Sequence, residues 1–249
     1  MTEIDVLLAL MLIGSFLLAL PLHEWAHAQM ASWLGDRTPR AEGRQTLRVR
    51  AHIDPVGLLT CVILAFQSSV GLGWGQPVKP DPWKMRVGAN GGVLAVACAG
   101  PIFSLIVGLA VAALTSFIAP FLASNIFTLF VLKFLVAFAV VNTGLAIFNL
   151  IPLYPLDGYQ ILYTLLPSKQ AVQFSRSATY GPFIILALFF FLPFLAQLAG
   201  LGAFPLFQLP KYIRLGAFSL MALVSGRPFD IGFKLLTDLY AFGYQVFSV

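Results

Sequence analysis

The chain has 249 residues, of which 59% are hydrophobic and only 10% charged, and its mean hydropathy is +0.88. A soluble domain carries about 25% charged residues, so a soluble enzyme, a disordered chain and a nucleic-acid binder all fit poorly. The composition fits an integral membrane protein of one domain over residues 1–249, with the lipid bilayer as its main partner, and the net charge of +5 then reflects basic loops held on the cytoplasmic side.

The first apolar run extends from Val6 to Leu34. It follows Glu3 and Asp5, whereas a secretory signal starts with positive charge, so it reads as a retained helix of roughly 43 Å. Arg37, Arg40, Arg44, Arg48 and Arg50 come next and mark the cytoplasmic side. Leu47–Arg50 alternates weakly and suggests a short strand. The second run, Ile53–Trp74, is broken by Pro55, Gly57, Gly71 and Gly73 and leads into Lys79, Lys84 and Arg86. With basic loops on both flanks, a re-entrant segment satisfies the charge rule better than a span. The third run is Val87–Ile118, followed by an uncharged loop at 119–125, and the fourth is Ile126 to about Ile151. The fifth is Tyr180 to about Phe207, beyond Lys169 and Arg176. Tyr212–Val224 and Phe229–Val249 read as interfacial or membrane segments of a C-terminal part, 211–249. Cys61 and Cys98 have no disulfide or zinc-ribbon spacing and read as small apolar side chains. The expected fold is an all-α polytopic membrane protein of five to six transmembrane helices.

The chemistry is concentrated in His23-Glu24-Trp25-Ala26-His27. This is H-E-x-x-H on a helix, and residues i and i+4 share one helical face. Both imidazoles can bind one zinc ion, and the glutamate can deprotonate a metal-bound water. With three histidines and three glutamates in the chain, the chance expectation is on the order of a few in ten thousand. Ionisable groups inside an apolar helix are costly and usually functional.

A catalytic zinc site needs a third protein ligand and an open position. No glutamate follows Glu42, and Met30 and Trp33 break the extended pattern that ends in a third histidine. His52, Cys61, Cys98, Asp54, Asp81, Asp157, Asp230 and Asp238 remain. Asp157 stands out, in Asn149-Leu150-Ile151-Pro152-Leu153-Tyr154-Pro155-Leu156-Asp157-Gly158, where two prolines break the helix and a glycine frees the backbone. Its competing role is an N-cap for the helix that follows.

The H-E-x-x-H in the first apolar helix, with N-x-x-P and L-D-G on a later one, resembles the site-2 protease family of intramembrane zinc proteases. Ala99-Gly100-Pro101-Ile102-Phe103-Ser104 resembles its A-G-P-x-x-N/S signature, with Ser104 where asparagine is commoner. His52-Ile53-Asp54-Pro55-Val56-Gly57 and Gly73-Trp74-Gly75-Gln76-Pro77-Val78 look like segments of short bacterial members without PDZ or CBS domains. The resemblance covers about residues 6–210. It implies a three-helix zinc-protease core, one Zn2+ per chain on His23, His27 and Asp157, and Glu24 as general base. It also implies that Asn149 contacts substrate or helps stabilise the oxyanion.

His52 and Ser104 are further candidates. His52 reads either as a gating or supporting group or as an interfacial histidine. The implied activity is peptide hydrolysis within or near transmembrane helices of membrane-protein substrates. The site would lie toward the cytoplasmic face of a prokaryotic cytoplasmic membrane, and the second run would offer a strand edge to the unwound substrate. A proton or metal pathway through His23, Glu24 and Asp157 would be expected to show internal symmetry, and the sequence has no evident repeat.

Overall fold

A computed structural model describes residues 6–122 and 125–240. Glu3, Asp5 and the stretch 241–249 of the last expected segment lie outside the described residues. Eight helices carry the architecture: α1 (Val6–Trp33), α2 (Pro55–Ser68), α3 (Ala89–Ile118), α4 (Ile126–Phe148), α5 (Asp157–Leu165), α6 (Ser168–Leu198), α7 (Leu209–Leu223) and α8 (Phe229–Tyr240). Among the described residues, α1, α3, α4 and α6 are long and apolar enough to cross a membrane. The protein is an all-α polytopic membrane protein.

The second run departs from a span for a geometric reason. Asp54 starts α2 by accepting from the Gly57 amide at 2.8 Å, with Pro55 in the first turn. The helix is 14 residues long, about 21 Å, well short of a hydrocarbon core of about 30 Å. It ends at Ser69, whose φ of 50° is in the left-handed region, and the chain returns without regular secondary structure to Gly75. Ile53 and Gly75 then pair as an antiparallel bridge, and the Gln76 amide donates to the His52 carbonyl at 2.7 Å. Both ends of the run lie side by side, which is the geometry of a re-entrant hairpin. Its legs touch closely: a Cβ on Gly57 would sit 2.0 Å from the Trp74 carbonyl oxygen, and one on Gly73 would sit 2.2 Å from that of Gly57.

Helices α1, α3 and α4 pack against one another, and α2 leans on α1. The shared core includes Phe16, Leu20, Leu64, Leu72, Val136 and Phe148. Ile213, Phe218, Met221 and Leu236 belong to the same cluster, so α7 and α8 are docked on the bundle, mainly on α4. At 15 residues α7 is too short to span, and α8 is described over 12 residues, as far as Tyr240.

Two expected elements differ. Leu47–Arg50 forms no strand: Val49–Ala51 is a 3-10 turn, pinned by the Arg44 guanidinium on the Ala51 carbonyl and the His52 amide on that of Val49. The fifth run begins earlier, at Ser168, so Lys169 and Arg176 lie on the helical segment rather than before it. Long basic side chains at a helix end can reach the polar interface, which removes the conflict with the charge pattern.

Candidate active site

Helix α1 carries His23 and His27 on one face, and both are buried. α1 continues through Pro21 without a break. α4 ends at Phe148, a broken turn follows, and α5 opens with Asp157 as its first residue. The carboxylate of Asp157 does not cap its own helix. It reaches α1 instead, with Oδ2 3.0 Å from His23 Nε2 and Oδ1 3.2 Å from His27 Nε2. The two Nε2 atoms are 3.2 Å apart. Gly158 permits this placement, because a Cβ there would lie 2.3 Å from the Leu150 carbonyl oxygen.

The outer ring nitrogens are occupied. His27 Nδ1 lies 2.6 Å from the Val96 carbonyl oxygen, to which only a protonated nitrogen can donate. His23 Nδ1 lies 3.0 Å from Ser104 Oγ, on α3. A neutral His27 therefore turns an unprotonated Nε2 toward the carboxylate, and His23 does the same in the tautomer that donates from Nδ1 to Ser104 Oγ. Three electron pairs then converge in a buried pocket, an arrangement that calls for a cation. The separations of 3.0–3.2 Å are close to the roughly 3.3 Å between ligands of a tetrahedral zinc bound at about 2.0–2.1 Å. His23, His27 and Asp157 therefore fit Zn2+ in donor type, tautomer and spacing, and their partners on α3 supply the orienting contacts that metal-bound histidines usually have.

Glu24 is buried beside them, and its Oε2 has no hydrogen-bond partner among the described residues. Its other oxygen lies against Gly75, where a Cβ would come within 2.6 Å. Glu24, both histidines and Asp157 line one cavity of about 290 Å³, together with Trp74, Gly75 and Asn149. Tyr154, Tyr159 and Lys79 also line it. Asn149 Nδ2 donates to the Leu145 carbonyl at 3.0 Å, and the Asn149 carbonyl accepts from the Gly158 amide at 2.5 Å. Asn149 thus ties the end of α4 to the start of α5.

His52 is not in the cluster. It is fully buried in the basic loop, with Nε2 2.8 Å from the Thr46 carbonyl oxygen and Nδ1 without a partner among the described residues. Burial, the largest influence, holds its pKa below the ordinary value; the bond to Thr46 opposes this and nearby Arg44 adds to it. Asp36, just past the end of α1, is also fully buried. It accepts from the Thr38 amide at 2.9 Å and the Asp81 amide at 2.7 Å, and so fastens the proline-rich segment 76–82 to the end of α1. No local signal distinguishes such an aspartate from a solvated one. Gly100 was legible only as part of a signature, and its function is spatial: it faces both histidine rings across α3.

The profile of Peptidase family M50 matches residues 116–192, which include α4 and Asp157. A protein of Bacillus subtilis (strain 168) named "Putative zinc metalloprotease YwhC" is 31% identical over 189 residues, spanning 72% of this chain and 79% of its own length. No solved structure gives a significant match. The zinc-fitting cluster and these likenesses agree: the chain belongs to the site-2 protease family, Peptidase family M50, and is a membrane zinc metalloprotease.

Proposed function

We propose that this enzyme cleaves transmembrane-helix substrates inside the cytoplasmic membrane, at a site that opens toward the cytoplasm. The observation that carries the reading is the meeting of His23, His27 and Asp157 with Glu24 in one cavity among membrane-spanning helices. Orientation follows from charge, because loops 37–50 and 79–86, which flank the re-entrant run, are both basic.

In this reading His23, His27 and Asp157 hold the metal. Zinc bound there supplies the Lewis acidity that polarises a carbonyl and eases deprotonation of water. Glu24 is the proton carrier: it takes a proton from the attacking water and delivers it to the leaving amine. Asn149 lines the same cavity and would meet the substrate backbone there. Ser104 and the Val96 carbonyl orient the two imidazoles.

The substrate helix must unwind before its peptide bonds can be reached. In this reading the returning segment Val70–Gly75, not α2, supplies the edge expected of the second run. Among the described residues Gly71, Leu72 and Gly73 make no backbone bond to another segment, and Trp74 and Gly75 line the cavity. An unwound substrate segment can add to that edge.

The test is zinc content and cleavage of a labelled transmembrane peptide with a central helix-breaking Asn-Pro, in detergent micelles. Wild type is expected to hold one zinc per chain, and Asp157→Ala to lose it. Glu24→Gln is expected to keep zinc while cleavage falls about 10²–10⁴-fold. Zinc retained in Asp157→Ala, or cleavage retained in Glu24→Gln, would falsify the corresponding assignment.

A further inference from the structure

The far end of the re-entrant hairpin is held by two polar side chains that the zinc site does not explain. Where α2 ends and Ser69 turns the chain, the terminal carbonyls of the helix lose their helical partners. Donors from two other helices meet them. Arg214 of α7 places Nη1 2.8 Å from the Ser68 carbonyl oxygen and 3.4 Å from that of Ser69. The Tyr240 hydroxyl of α8 donates to the Ser69 carbonyl at 2.5 Å.

Ser68, Ser69 and Arg214 are half-buried, and the chain becomes buried at once beyond them, from Val70 on. Gly71 packs against the Leu12 carbonyl of α1 and against Val141 of α4, both within spanning helices. A carbonyl without a partner is costly beside spanning helices, and so is an arginine without one. Together they relieve each other, and the guanidinium also complements the negative end of the α2 dipole.

Between the clamp and the site the chain has no slack. A Cβ at Gly71 would come within 2.9 Å of the Leu12 carbonyl oxygen. Leu72 lies against Gly144, Gly73 against the Gly57 carbonyl, and Gly75 against the Glu24 carboxylate. A shift of the tip therefore has no flexible link in which to dissipate, and it moves the wall of the catalytic cavity. We propose that Arg214 and Tyr240 are positioning residues for proteolysis: they fix the tip so that Val70–Gly75 stays in register as the seat of the unwound substrate. The seat itself rests on the strand-edge reading given above; the clamp does not.

The experiment uses the full chain in phosphatidylcholine–phosphatidylglycerol nanodiscs and compares wild type, Arg214→Gln with Tyr240→Phe, Tyr240→Phe alone and Arg214→Lys. It reads zinc content, amide exchange over residues 69–76, and kcat and KM for the same transmembrane peptide. In the double variant zinc is expected to stay at one per chain, while exchange over 69–76 rises about tenfold with the loss of charge-assisted bonds. KM is expected to rise about tenfold with little change in kcat, the pattern of lost uniform binding. Arg214→Lys is expected to recover part of both, since an ammonium can still donate to one carbonyl. Unchanged exchange in the zinc-loaded double variant overturns the clamp. Faster exchange with unchanged KM keeps the clamp and overturns the substrate seat. Should the double variant fail to fold, Tyr240→Phe, which removes one hydroxyl, carries the same comparison at smaller amplitude, and unchanged exchange there overturns the role of Tyr240.

Discussion

A methyl group placed on Gly100 would meet His27 Nε2 at 2.2 Å and His23 Nε2 at 2.7 Å. Those are the atoms that would bind the metal, so even alanine must push both rings off their positions. Gly100→Ala is expected to reduce zinc to well under one per chain, measured by elemental analysis of purified protein. Gly14→Ala on α1 is the control, because its Cβ meets nothing within 4 Å, and it should keep full occupancy. Ser104→Ala tests the other side of His23: losing its contact with Nδ1 should weaken zinc about 10–100-fold, as outer contacts of metal ligands generally do. At this scale the sequence was informative where chemistry needs a rare residue type at fixed spacing. His23, Glu24 and His27 qualify through one helical turn, and Asp157 through a glycine and two prolines. Gly100 and Asp36 carry no such mark, since what makes them matter is a neighbour more than forty positions away in the chain.

The basic loop and the hairpin meet at His52, and this junction has a pH dependence. Its ring is buried and donates to Thr46, its carbonyl receives the Gln76 amide, and its pKa is held below the usual value. The unfolded chain takes up a proton near pH 6.5, while the folded one resists it. The stabilisation is therefore present above about pH 6.5 and lost as pH falls below it. Wild type should lose apparent Tm between pH 7 and 5 relative to His52→Gln, which can still donate to Thr46 and does not titrate. Parallel pH curves for the two proteins would sink this account. The elements themselves were read unevenly. α1, α3 and α4 are long runs of apolar residues, and their ends could be placed within a few positions. The returning segment could not, because Val70–Gly75 alternates glycine with bulky residues in a run that is apolar throughout. What brings it back along α2 is the close approach of Gly57 and Trp74, which glycine alone allows. Helix α6 begins twelve residues before the expected Tyr180, since neither Lys169 nor Arg176 is a helix breaker.

Across the whole molecule, the re-entrant hairpin decides the topology. If residues 53–75 crossed the membrane, the loops at 37–50 and 79–86 would face opposite sides, and eight basic residues would be divided between them. The bridge between Ile53 and Gly75 and the bond between Asp36 and the Asp81 amide instead hold both loops at one end of the bundle. α3 then runs from that end to Ile118 at the other, with Phe121 in the turn just beyond it. Single cysteines at Glu42, Trp83 and Phe121, all exposed, separate the two arrangements in a chain whose Cys61 and Cys98 are replaced by alanine. In oriented membrane vesicles, a membrane-impermeant maleimide should label positions 42 and 83 from the cytoplasmic face and position 121 only from the opposite one. Labelling of 42 and 83 from different faces would mean that the second run spans. The catalytic cavity would then no longer lie between two loops on one side of the membrane, and the cytoplasmic access proposed for it would fall with the hairpin.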